Sequence, residues 1–114
     1  MKIFNKITGS QGEAIAQKFL KDQGYKILAT NFTCKIGEID IIAQQKKTIV
    51  FVEVKTKSNL DFGYPREMVN ITKQNKIRRV AEYYLLKTNQ TDCECRFDVI
   101  EVLDGKVEHL KACF

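Results

Sequence analysis

The side chains best suited to chemistry lie on two adjacent segments that both have the pattern of β-strands. Residues 38–44 read EIDIIAQ and residues 48–56 read TIVFVEVKT. Both are rich in β-branched residues, which favour strands. The short polar stretch between them predicts a hairpin. If its turn is symmetric, Asp40 lies opposite Glu53, with one carboxylate on each strand.

Two opposed carboxylates predict a site for a divalent cation. Directly paired residues have Cβ atoms about 4.5–5.5 Å apart, and two negative charges at that distance repel each other. A divalent cation between Asp40 and Glu53 reverses the repulsion, and their hard oxygen atoms suit Mg²⁺ or Mn²⁺. Lys55 points to the same side as Glu53 and could stabilise developing negative charge. Hydrolysis of a phosphodiester needs such groups.

The same residues also have a plainer interpretation. In this register Glu38 lies opposite Lys55, and the two would form an ordinary cross-strand ion pair. Asp40 and Glu53 would then be an exposed acidic pair on a solvated face. A turn shifted by one residue would put the two acids out of alignment. Spacing alone leaves both interpretations open.

Two amphipathic helices and five strands are predicted to position these residues. The predicted elements are a helix over residues 11–23, strands over 25–31, 38–44 and 48–56, a helix over 72–87, and strands over 96–103 and 107–112. Ser10 and Glu13 match a capping box at the start of the first helix, and Gly24 would end it. The pattern predicts one α/β domain over residues 1–114, a mixed five-stranded sheet flanked by helices.

The overall composition favours a polyanionic partner. The formal charge of +5 attracts nucleic acid, although many small domains are mildly basic without such a role. No apolar stretch reaches the roughly 18–20 residues of a membrane span, and the first twelve residues lack a signal-peptide pattern. We therefore expect a cytoplasmic protein with no membrane partner.

Motifs spread over nearly the whole chain match one known family. They are Gly12-Glu13-Ala14, Gly24 to Leu28 with Asn31, Gly37 to Asp40, Val50 to Thr56, Cys95 to Ile100, and Phe114. In this combination the sequence resembles the YraN-type family of uncharacterised proteins. That family is similar in fold to archaeal Holliday-junction resolvases of the PD-(D/E)XK nuclease superfamily. The resemblance implies a restriction-endonuclease-like sandwich of order α-β-β-β-α-β-β.

The resemblance also implies roles for individual residues. Asp40 and Glu53 match the two acidic metal ligands of the motif, and the carbonyl of Val54 matches a further ligand. Lys55 matches the motif lysine. Glu13 matches a first-helix acid that some resolvases place near the metal, although the capping box explains Glu13 equally well.

Basic residues of the second helix and of the loop before it are the candidates for nucleic-acid contact. They are Arg66, Lys73, Lys76 and Arg79. Similar nucleases bring a residue of this helix close to the metal, and Lys73 is the best match. Such residues can grip phosphates without reading sequence, although a charged helix face is often merely solvated.

The function expected from these features is that of a metal-dependent endonuclease. It would hydrolyse phosphodiester bonds in DNA, with branched recombination or repair intermediates as candidate substrates. A homodimer, as in the resolvase-like relatives, would suit a two-fold symmetric junction. The alternatives are a catalytically inactive nucleic-acid-binding module and an adaptor for a DNA-processing protein, since fold alone does not fix function.

Overall fold

Helices and strands follow one another along the chain in the predicted order. The computed structural model describes residues 9–57 and 69–114. The elements are α1 (Gly9–Asp22), β1 (Lys26–Thr33), β2 (Glu38–Gln45), β3 (Thr48–Lys57), α2 (Ile71–Lys87), β4 (Glu94–Leu103) and β5 (Lys106–Leu110). This confirms the predicted α/β class and element order. Arg66, a predicted nucleic-acid contact, lies outside the described residues.

The five strands form one mixed sheet in the order β1-β2-β3-β4-β5. β3 and β4 are parallel, and the other neighbours are antiparallel. A parallel pair cannot be joined by a tight turn, so the chain crosses over between β3 and β4 and forms α2 on the way. This crossover brings the basic helix onto one face of the strand that carries Glu53 and Lys55.

Alternation along β3 divides the core between the two faces of the sheet. Ile49 and Phe51 pack on the side of α2, whereas Val50 and Val52 pack on the side of α1. The helices supply Ile77, Val80, Ala81 and Tyr84 from α2, and Ala16 and Leu20 from α1. Burial on both faces explains why β3 reads as a continuous apolar run.

The predicted C-terminal end of α1 is confirmed, whereas its predicted N-terminal cap is wrong. Gly24 has a φ of +90°, and the N–H of Tyr25 donates to the carbonyl of Leu20 at 2.9 Å. This is the Schellman arrangement, so the predicted helix end is confirmed. The predicted capping box is wrong, because α1 begins at Gly9 and Ser10 lies inside it. An N-cap residue needs a non-helical backbone.

The last strand is shorter than predicted. β5 ends at Leu110, and the chain turns at Ala112, which has a φ of +54°. There the N–H of Ala112 donates to Oδ1 of Asp98 at 2.9 Å, in place of a strand partner. No helix within residues 9–57 and 69–114 is long and apolar enough to cross a membrane.

Gly12 lets α1 approach the sheet closely. A Cβ built on Gly12 would overlap Oγ1 of Thr56 and would lie 3.0 Å from the Cβ of Thr56. Only a glycine leaves room for this contact between the helix backbone and β3. The contact holds the next residue, Glu13, at the end of β3 that carries Glu53 and Lys55.

Gly12→Ala should destabilise the protein, because the added methyl group forces α1 and β3 apart. We expect a loss of about 1–3 kcal/mol in the free energy of unfolding, measured by urea denaturation. Gly9→Ala is the matched control, since among the described residues no atom outside its own stretch of α1 lies within 4 Å of a Cβ at that position. Adding Thr56→Ala to Gly12→Ala should recover part of the loss, and an unchanged loss would mean that this contact is not its cause.

Candidate active site

The candidate site lies where β2 and β3 cease to pair. The two strands pair in the predicted register from their turn as far as Ile41 and Val52. The pairing ends one step before Asp40 and Glu53, so the predicted direct pairing of these two acids is wrong. Beyond that step β2 remains paired with β1, and β3 remains paired with β4. The sheet therefore opens between the two strands that carry the predicted acids.

Asp40 fills this opening with its side chain. Its Oδ2 accepts a hydrogen bond from the N–H of Val54 at 2.8 Å. Ile39 packs on the α2 side and Ile41 on the α1 side, although alternate residues of a regular strand share a face. Strand alternation is thus interrupted at Asp40. The carboxylate supplies the acceptor that a paired strand backbone would otherwise offer.

The carboxylate of Asp40 is crowded by other acids. Its pKa is raised from the ordinary 3.8 to about 6, chiefly by burial, although the hydrogen bond from Val54 opposes that change. The negative charges of Glu53, Glu13 and Glu38 make smaller contributions to the same rise. The structure therefore brings together acids from β2, β3 and α1. Glu13 is no longer explained by a capping box, and its charge acts on Asp40.

An ammonium group of α2 contacts this acidic cluster. The Nζ of Lys73 lies 2.8 Å from Oε1 of Glu53, whose side chain is only 11% exposed. The hydrogen bond to Glu53 raises the pKa of Lys73, and the charges of Asp40 and Glu38 add to the effect. Asn70 fixes the start of α2, since its side chain accepts a hydrogen bond from the backbone N–H of Lys73 at 2.9 Å.

Lys55 lies on the same strand face as Glu53 but has a different neighbour from the one predicted. In the parallel register it lies beside Glu101 of β4, and it forms no ion pair or hydrogen bond with another residue of 9–57 or 69–114. The predicted pairing of Glu38 with Lys55 is wrong. Glu38 lies opposite Thr33 of β1 and accepts a hydrogen bond from its Oγ1 at 3.2 Å.

The groups that could bind a metal ion here are two carboxylates and one backbone carbonyl. No three Asp, Glu, His or Cys side chains of the described ranges are arranged to hold an ion together. Glu53 is engaged by Lys73, and Asp40 by the N–H of Val54. Mg²⁺ commonly keeps several waters and uses only one or two protein carboxylates. The donor set of Asp40, Glu53 and the carbonyl of Val54 fits that chemistry.

The predicted nucleic-acid contacts differ in how close they lie to the acids. Among those within the described residues, Lys73 alone contacts an acid of the cluster. Lys76 and Arg79 are exposed on α2. They extend the positive charge away from the site along the helix.

A second charged cluster lies on the α1 side of the sheet. Burial would raise the pKa of Asp98, but hydrogen bonds with His109, Arg96 and the N–H of Ala112 outweigh it and hold that pKa below its usual value. Nε2 of His109 lies 2.7 Å from the carboxylate, and Arg96 also donates to the hydroxyl of Tyr25 at 2.8 Å. These contacts give His109 a structural role in the packing of β4 against β5.

The fold and the site define a class of protein: an α/β domain with crowded acids at an opened strand pair and a basic helix beside them. The family described as Uncharacterised protein family UPF0102 matches residues 12–102, and the chain belongs to it. This confirms the YraN-type resemblance.

Relatives described as UPF0102 proteins cover most of the chain. The protein of Caldicellulosiruptor saccharolyticus is 54% identical over 94 residues, which are 82% of this chain and 80% of that protein. The protein of Acetivibrio thermocellus is 57% identical over 95 residues, covering 82% of this chain and 73% of the relative. The protein of Clostridioides difficile is 48% identical over 112 residues, covering 96% and 98%.

Asp40→Asn should stabilise the cation-free protein at high pH and not at low pH. The raised pKa means that the native state keeps a proton between about pH 3.8 and about pH 6 that the unfolded chain has lost. The ionised carboxylate therefore costs stability above that range, and the protonated one does not below it. Asparagine keeps an acceptor for Val54 but carries no charge.

The measurement is the melting temperature in EDTA at about pH 4, 6 and 8. The advantage of Asp40→Asn over the unmodified chain should grow with pH. Asp22→Asn, which changes an exposed acid of α1 paired with Lys18, is the control and should show no such growth. If Asp40→Asn lowered the melting temperature relative to the unmodified chain by the same amount at every pH, the crowding of charge at this site would be contradicted.

Proposed function

We propose that this protein is a divalent-cation-dependent endonuclease that hydrolyses phosphodiester bonds in DNA. The observation that carries the proposal is the position of Asp40, which lies partly buried beside the charges of Glu53 and Glu13. Burial chiefly, and these charges in smaller part, raise the pKa of Asp40 to about 6. Strongly perturbed acids cluster at functional sites, because a stable fold gains nothing from unbalanced charge. The fold places these acids beside the basic helix α2.

Asp40, Glu53 and the carbonyl of Val54 would hold Mg²⁺ or Mn²⁺. A divalent cation converts the repulsion between the two carboxylates into attraction. In the cation-free protein Lys73 pairs with Glu53, and the cation would replace it there. When bound, the cation would neutralise charge on the scissile phosphate and activate a water molecule.

Protein side chains would position the substrate and the water. Lys55 would stabilise negative charge that develops on the phosphate, because its ammonium group lies on the face of β3 that carries Glu53. Glu13 would orient the water by accepting its hydrogen bonds from the α1 side. Lys73 would leave Glu53 and bind a substrate phosphate, and Lys76 and Arg79 would grip the DNA backbone.

The positive charge of the exposed basic side chains, and not contacts with base edges, indicates the class of substrate. Exposed lysine and arginine side chains bind phosphates irrespective of sequence. We propose branched repair or recombination intermediates as substrates, in keeping with the resemblance to resolvases. The homodimer and the cytoplasmic location remain predictions from the sequence.

One observation favours a second candidate, an inactive nucleic-acid-binding module. Lys73 already neutralises Glu53 at 2.8 Å, which would let the acids persist as part of a stable surface without a metal. Such a module would bind DNA with a steep salt dependence and would not cut it.

Cleavage assays distinguish the two candidates. Linear, single-stranded and four-way-junction DNA are each incubated with the protein and Mg²⁺ or Mn²⁺. Asp40→Asn, Glu53→Gln and Lys55→Met should each lower the cleavage rate by about 10²–10³-fold, because each removes a group that acts on the reacting phosphate. Lys47→Met should leave the rate unchanged, since Lys47 is exposed in the turn at the far end of the β2–β3 hairpin.

Cleavage that persists in all three site variants would reject this active site. Binding without any cleavage by the unmodified chain would favour the inactive module. Cutting of four-way junctions in preference to linear duplex would support the branched substrate.

A further inference from the structure

A groove separates the β1–β2 connection from the second half of α2. Its lining residues are Thr33, Cys34, Lys35, Ile36, Tyr83 and Lys87. The volume of about 310 Å³ lies at the lower end of the range for small-ligand sites. Because the connection joins the end of β1 to the start of β2, the groove lies at the same end of the sheet as Asp40.

Tyr83 gives this groove an exposed aromatic wall. The residue is 43% exposed. Phe32 supports it from the sheet, with ring centroids 6.2 Å apart and an interplanar angle of 37°. Phe32 is fixed in turn by an edge-to-face contact with Tyr84 at 5.2 Å. A ring that is held in place yet remains exposed is suited to stacking against a planar ligand.

Two ammonium groups flank that aromatic wall. Lys35 and Lys87 both line the groove, and Nζ of Lys87 lies 6.0 Å from the centroid of the Tyr83 ring. An aromatic platform beside positive charge is the combination that binds single-stranded nucleic acid, in which bases stack and phosphates pair with cations. Thr33 lies between the groove and the acidic residues, because it lines the groove and its hydroxyl donates a hydrogen bond to Glu38.

One flank of α2 joins the groove to the candidate active site. At 100° per residue, Lys76, Tyr83 and Lys87 fall within an arc of about 40° beside the buried stripe of the helix, and Lys73 lies in line with that stripe in the first turn. Lys73 and Lys87 are separated by about 21 Å along the axis at 1.5 Å per residue. That length corresponds to about six nucleotides of one strand at 3.4 Å each. A strand held at Lys73 would therefore reach the groove.

We propose that this groove binds an unpaired nucleotide of the substrate. Its base would stack on Tyr83, and its flanking phosphates would contact Lys35 and Lys87. The inference rests on the proposed function for its ligand class, and it adds that the substrate carries a single-stranded segment near the cleavage site. DNA and RNA strands share the chemistry of base and phosphate, and the experiment separates them.

Tyr83→Trp provides a direct test of stacking. The chain contains no tryptophan, so the variant has a single indole emission. Titration with an oligothymidylate of about twelve nucleotides, in EDTA, should quench that emission on stacking, while the anisotropy of a labelled oligonucleotide reports binding. Binding without quenching, or no binding at all, would overturn the proposal. An oligouridylate of equal length tests whether RNA binds as well as DNA.

Alanine variants test how much the groove residues contribute to the affinity for single strands. Tyr83→Ala should weaken single-strand binding about tenfold and leave duplex binding within about twofold, because only an unpaired base can stack. Lys87→Ala should weaken single-strand binding and lower its salt slope by about 0.7. Leu86→Ala on the exposed side of α2 and Lys47→Ala in the hairpin turn are the controls. Equal losses in Tyr83→Ala and Leu86→Ala would overturn the proposal.

The two proposals can fail separately. Quenching without cleavage in the presence of Mn²⁺ would contradict the proposed nuclease activity and support nucleotide binding in the groove. Cleavage without quenching in Tyr83→Trp would support the nuclease activity and contradict nucleotide binding in the groove.

Discussion

The hydrogen bond from the N–H of Val54 to the carboxylate of Asp40 is the interaction on which the candidate site depends. It occupies the first position beyond the paired part of the β2–β3 hairpin, at 2.8 Å. The bond holds the carboxylate of Asp40 in a partly buried place beside other acids, and burial there raises its pKa to about 6 even though the bond itself lowers that pKa. A fold selected only for stability would close the hairpin with backbone bonds.

The surrounding elements concentrate charge at this one place. Gly12 lets α1 lie against Thr56, which brings Glu13 close enough to act on Asp40. The crossover through α2 delivers Lys73 to Glu53. The ammonium group relieves part of the repulsion, as a divalent cation would do more completely. The basic helix and the acids are thus parts of one electrostatic arrangement.

The sequence predicted what local patterns determine and missed what depends on tertiary contacts. The turn and the strand pattern determine the β2–β3 register, but nothing local indicates that pairing stops at Ile41, so the predicted pairings of Asp40 with Glu53 and of Glu38 with Lys55 are wrong. Asn70, the N-cap of α2, carries a recognisable local signal, because asparagine is a preferred residue at the start of a helix. The groove joins segments about fifty residues apart, and only the fold brings Lys35 and Tyr83 together.

Calorimetric titration of Mn²⁺ into the protein at about pH 8 tests whether Asp40 and Glu53 hold a cation, because at that pH Asp40 is ionised. We expect one ion per chain, no binding to Asp40→Asn, and tighter binding to Lys73→Met, which loses the competing ammonium group. Absence of binding to the unmodified chain, or equal binding to Asp40→Asn, would rule out a cation site at these acids.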